Sequence, residues 1–199
     1  SDFYHNDEAS SRLLLVFLPW LSMILVPALT MSMWGDDQEK REMELVYSLP
    51  ISHFSIVVGK YLAVCLVLLI TLFLTFPFII TLYYLGNPDT GLIISSYLVC
   101  GLTLFMSASL SIFCSSIIRQ PIGSYILSMS LLFLLILLGW DVSGNLLVDY
   151  LPDYIINRLV IYSPVTWINY FSSGKINFQG VFYFISVSVF CITSTILNL

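Results

Sequence analysis

The sequence predicts an all-α membrane protein, a polytopic helix bundle, from three observations. It is 58% hydrophobic and only 10% charged, whereas soluble domains carry about 25% charge, so it cannot build a water-facing shell. Its apolar residues gather into five runs, 13–34, 61–86, 92–118, 121–140 and 178–199. Each is close to or beyond the roughly 20 residues a helix needs to cross a bilayer. None of the five contains Asp, Glu, Lys or Arg. Helices are favoured over barrel strands, which are roughly ten residues of alternating character. The mean hydropathy of +0.94 agrees.

The chain reads as one transmembrane domain, 1–199, with three polar segments. Residues 1–12 begin "SDFYHNDEASS", a polar start with no Met and no signal-peptide pattern. This start is expected to follow an upstream helix, giving six spans in the full protein against the five read here. Residues 35–60 hold eight of the chain's 19 charged side chains. Residues 141–176 are too polar to span and too aromatic to float free.

Orientation follows Lys and Arg in short loops, which favour the cytoplasm. The 35–60 loop carries Lys40, Arg41 and Lys60, and the turn after the third span carries Arg119, against Arg12, Arg158 and Lys175 spread over longer stretches. Density per loop residue puts 35–60 inside, with 1–12 and 141–176 outside. From Asp36 to Leu49 there is no Pro or Gly, and Met43, Leu45, Val46 and Leu49 make an apolar stripe. Glu39, Lys40, Glu42 and Glu44 face the water, and Pro50 ends the helix. The following "ISHFSIVVGK" (51–60) is expected to lie at the membrane interface before the second span, with Lys60 as an interfacial anchor.

The spans offer only Ser, Thr, Tyr and Cys as polar chemistry. Ion-coupled transport normally needs ionisable groups at membrane depth, and both histidines, His5 and His53, fall in loops. The "GK" at 59–60 lacks the upstream glycine of a phosphate loop and is followed by Tyr61. No nucleophile has a base within the spans, and no His/Glu cluster suits a metal. Cys65, Cys100, Cys114 and Cys191 read as small apolar residues. The chain is therefore expected not to be an enzyme, to hold no cofactor or metal, and to bind no nucleic acid.

Thr103, Ser107, Ser111 and Ser115 recur every four residues, one ridge of small polar side chains on the third span. Such ridges serve close helix packing or line a translocation path. Pro19, Pro27 and Pro77 lie inside spans, where each removes a backbone hydrogen bond and favours a kink. In 141–176, Tyr150, Tyr154, Tyr162, Trp167 and Tyr170 fit interfacial belt positions. Short helices there, punctuated by Pro152 and Pro164, would rest on the outer leaflet or dip into the bundle, gating an exit or sealing it.

Several motifs occur in order: "PALTM" (27–31) closing a span, a charged run after it, "MELVYSLPIS" (43–52), "VVGKYLA" (57–63), "YYLGNPDTG" (83–91) and "YSPVTWINYFSSG" (162–174). Together they resemble the permease subunit of type-2 ABC transporters, in the branch that includes gliding-motility and copper/nitrous-oxide-associated permeases. The likeness runs nearly the full chain. The family's usual Gly-Thr ahead of the glutamate stretch is replaced here by Arg41 and Glu42. The resemblance implies six spans, a bacterial cytoplasmic (inner) membrane location, and a dimer with a second permease copy. It makes 36–49 a coupling helix that docks on a separate ABC ATPase subunit, which binds and hydrolyses the ATP. Lys40, Arg41, Glu42 and Glu44 would then meet that subunit, with Met43 and Leu45 as anchors. An exporter is the favoured reading. The alternative is a non-transporting membrane anchor or assembly protein that recruits a cytoplasmic partner through the same helix.

Overall fold

The computed structural model describes residues 7–34, 52–85, 90–139, 160–172 and 177–198, and all regular structure among them is helical. The helices are α1 (Asp7–Thr30), α2 (His53–Leu74), α3 (Phe76–Leu85), α4 (Thr90–Ile117), α5 (Pro121–Leu138), α6 (Pro164–Ser172) and α7 (Phe178–Asn198). Four of them, α2, α4, α5 and α7, are long and apolar enough to cross a membrane, and α1 carries a shorter apolar stretch, Phe17–Thr30. The all-α polytopic bundle read from composition is the fold observed.

The hub is α4. It is 28 residues long, about 42 Å at 1.5 Å per residue, and it touches α1, α2, α5, α6 and α7. Residues 106–112 are buried without a break. Its many Ser, Thr, Ala and Cys side chains make this possible, because small residues let neighbouring helices approach from every side. The opposite holds on the periphery, where Leu62, Leu66, Phe73, Leu74, Phe182 and Phe190 are exposed. In water so large an apolar surface would be an aggregation hazard; facing lipid tails it is satisfied.

Neighbouring helices alternate in direction. The Ser115 hydroxyl donates to Met31 O at 3.4 Å and the Lys60 ammonium to Met33 O. The end of α1, the start of α2 and the end of α4 therefore lie together. At the other end, the Thr75 and Tyr97 hydroxyls are 3.0 Å apart, joining the end of α2 to the start of α4.

Three boundaries differ from expectation. The first span, expected over 13–34, ends as a helix at Thr30 and passes into a turn at 31–34. There Met33 N–H bonds to Thr30 O at 3.2 Å and the Thr30 hydroxyl folds back on Val26 O at 3.1 Å. The stretch 51–60 is not a separate interfacial segment. Ser52 caps α2, its Oγ accepting from Ser55 N–H at 3.3 Å, and 53–60 forms the first turns of the spanning helix. That helix, 22 residues or about 33 Å, already matches the bilayer core. The apolar run 61–86 then breaks at Thr75. Pro77 lacks the N–H that would continue the ladder, and it falls instead in the first turn of α3, where no intrahelical partner is needed.

α6 comes from the segment read as external, and it sinks into the bundle. Trp167, Ile168 and Phe171 are buried and pack with Val99, Cys100, Met106 and Phe184. Trp167, expected in the interfacial belt, is thus an interior side chain, its indole N–H donating to Ile161 O at 3.0 Å. Tyr162 and Tyr170 stay exposed, while Tyr150 and Tyr154 lie outside the described residues. A glycine makes room for the insertion. A Cβ on Gly180 would meet Phe171 Cε2 at 2.7 Å and Trp167 Cε3 at 2.9 Å.

Candidate functional site

Two regions bear on function: the end from which the charged loop departs, and the polar seam of α4. The residues expected to meet a partner, Lys40, Arg41, Glu42, Met43, Glu44 and Leu45, lie outside the described residues. Their flanks are described. Trp34 and Ser52 stand at the same end of the bundle, and α4 ends there just before Arg119. The turn 31–34 is held from two sides. Ser115 of α4 takes the carbonyl of Met31, and Lys60 of α2 takes that of Met33. The Lys60 ammonium also lies 4.1 Å from the centroid of the Trp34 ring, a cation–π contact of about 0.5–2 kcal/mol. Tyr61 adds a further α2–α4 tie, its hydroxyl donating to Phe105 O at 3.4 Å. The interfacial-anchor reading of Lys60 did not foresee this arrangement. The only sequence signal was a lone Lys one residue ahead of an uncharged run, with a Trp ending the preceding one.

The seam is inside the bundle. Thr103, Ser107, Ser111 and Ser115 are all buried. Thr103 donates to Val99 O at 2.8 Å and Ser107 to Leu104 O at 2.9 Å. These hydroxyls return their protons to their own helix, so small polar residues are concealed in a dry interface. Ser111 Oγ is buried with no hydrogen-bond partner among the described residues. An apolar cleft of about 420 Å³ runs beside the seam, between α1, α2 and α4. Leu18, Leu25, Val67 and Leu72 form its walls, and Ser22, Thr71, Thr75 and Tyr97 are its polar members. None of the four seam residues lines it.

At the far end α6 packs against α4 and α5. Ser163 Oγ donates to Leu135 O at 2.8 Å and accepts from Val165 N–H at 3.2 Å. Ser95 of α4 donates to Phe171 O at 3.1 Å. Gly139 admits this contact, since a Cβ there would lie 2.2 Å from Ser163 Oγ. Nothing in the periodicity of 121–140 pointed to Gly139, nor that of 141–176 to Ser163.

Chemically, the described interior is inert. Its four cysteines are free and buried, and among the described residues no group of His, Cys, Asp or Glu could hold a metal ion. The described bundle has one end tied by Lys60 and Ser115 and α6 packed at the other. The family model described as ABC-2 family transporter protein matches residues 7–198. The chain belongs to the ABC-2 transporter family. No curated protein and no solved structure matches it. This ABC-2 permease is thus an integral, multi-pass membrane protein, the transport component of an ABC transporter, and it partners an ABC ATPase. The resemblance drawn from "PALTM" through "YSPVTWINYFSSG" is supported at the level of the family.

Proposed function

We propose that this permease is the membrane half of an ATP-driven exporter in a bacterial cytoplasmic membrane. It works as a dimer, and a separate ATPase subunit drives it through the segment 36–49. Lys40, Arg41, Glu42 and Glu44 are the polar contacts to that subunit, and Met43 and Leu45 the apolar ones. One observation carries this reading. The charged segment is bounded by a node in which the end of α1 is tied to both α2 and α4, and α4 reaches every other long helix. A displacement delivered there spreads through the bundle, whose described helices from Tyr61 onward carry no Asp, Glu, His, Lys or Arg that could couple transport to an ion gradient.

The test is co-purification. Replacing Arg41 and Glu44 together by Ala removes two charges from a solvated helix face. The ATPase subunit recovered with the permease should fall about tenfold, as expected when interfacial charge pairs are lost, with the thermal stability of the permease unchanged. Undiminished recovery would exclude 36–49 as the docking element. ATP-independent behaviour of a complex that still assembles would favour the non-transporting anchor.

A further inference from the structure

Lys60 is the one Lys or Arg within the described helix α2, and it sits eight residues into that helix. It does not extend into open surroundings. Its ammonium reaches across to the Met33 carbonyl and lies over the Trp34 ring, 4.1 Å from the centroid. Trp34 is itself buried and packs with Val26, Val57, Val64, Leu68, Leu104, Ala108 and Ile112 of α1, α2 and α4. Met31, three residues earlier, is fixed to α4 by Ser115. The two ends of the charged loop are thereby set at a fixed separation by a charge-assisted hydrogen bond, which is roughly twice as strong as a neutral one.

We propose that Lys60 is a positioning residue for coupling, a clasp that makes α1, α2 and α4 move as one body when the loop is displaced. This rests on the functional reading above. The physical reason is leverage. Two helices joined only by a loop can be pried apart by a force on that loop, and the work is then lost locally. With the clasp closed, separating α1 from α2 would break a part-buried charge-assisted hydrogen bond and the cation–π contact together. The force is instead passed to the hub α4 and on to the far end, where α6 is packed against it.

The permease–ATPase complex, reconstituted in lipid vesicles, carries one added cysteine, Phe178→Cys, at the exposed start of α7 on the far end. Its rate of reaction with a maleimide is read with and without ATP. The parent complex should change rate about fivefold on ATP, the lower end of typical coupling between distant sites. Lys60→Met should lose most of that change while retaining the ATPase subunit, and Lys60→Arg, which keeps charge and donors, should restore it. Trp34→Phe keeps a ring under the cation and should also respond, whereas Trp34→Leu should not. An ATP response in Lys60→Met equal to the parent's would overturn the clasp alone. So would equal loss in Lys60→Met and Lys60→Arg, which would mark a packing role rather than a charged tie. A parent complex that assembles yet ignores ATP would overturn the functional reading and the clasp with it.

Discussion

Gly180 and Gly59 are both helical, yet a methyl group added to each meets opposite surroundings. At Gly180 it would strike the Phe171 and Trp167 rings at under 3 Å, whereas at Gly59 and Gly101 nothing lies within 4 Å. Gly180→Ala should cost about 1–3 kcal/mol by overpacking. Gly59→Ala and Gly101→Ala should gain up to about 1 kcal/mol from lower backbone entropy in the unfolded chain. Denaturant titration of the three variants in bicelles distinguishes the signs. A second residue-level contrast concerns hydroxyls. Ser111 Oγ is buried without a hydrogen-bond partner among the described residues, so Ser111→Ala removes an unmet donor and should be neutral or stabilising. Ser163 Oγ both donates and accepts, and Ser163→Ala should cost about 1–2 kcal/mol. The same titration decides, and a larger loss at Ser111 than at Ser163 would contradict the dry-seam account.

The elements most informative about sequence reading are α2 and α6. Hydropathy located the greasy run 61–86 correctly but not its helix, because local chemistry at both ends moved the boundaries. Ser52 supplied a cap nine residues upstream of Tyr61, and Pro77 broke the ladder before Gly86. Both signals were present in the letters: Pro77 reads as a kink within the span where the structure has a helix break, and hydrophobicity hid the Ser52 cap. α6 is different. Its aromatics suit an interfacial belt as well as an interior, and only the facing surfaces of α4 and α7 select the interior. Phe171 is fully buried, so Phe171→Ala should remove about 3 kcal/mol of packing. Because α6 seats through this residue and Trp167, the variant should also expose Ser95, seen as faster labelling of a Ser95→Cys reporter. Unchanged labelling would mean α6 is held by its flanks alone.

For the molecule as a whole, the decisive property is which end faces which compartment. Lys40 and Arg41 in the loop sequence, with Lys60 and Arg119 beside it, lead the positive-inside rule to predict that this end faces the cytoplasm. Cysteines placed singly at Asp37 and at Asn177 should therefore behave differently in intact cells. An impermeant maleimide should label the second and leave the first unmodified until the membrane is opened. Labelling of the Asp37 position from outside would reverse the orientation, and with it the route by which an ATPase could reach the loop.

Composition and run length alone determined that this chain is an all-α membrane bundle, because no arrangement of residues this apolar can be satisfied by water. Ordered short motifs were enough to point to its family. The tertiary structure decided what no linear pattern encodes: that α4 is the buried hub, that α6 enters the bundle, and that Lys60 closes on Met33 and Trp34. Each of these depends on a residue far away in the chain standing opposite. Contacts over such separations are set by how whole helices pack, and a local period or charge count carries no information about them.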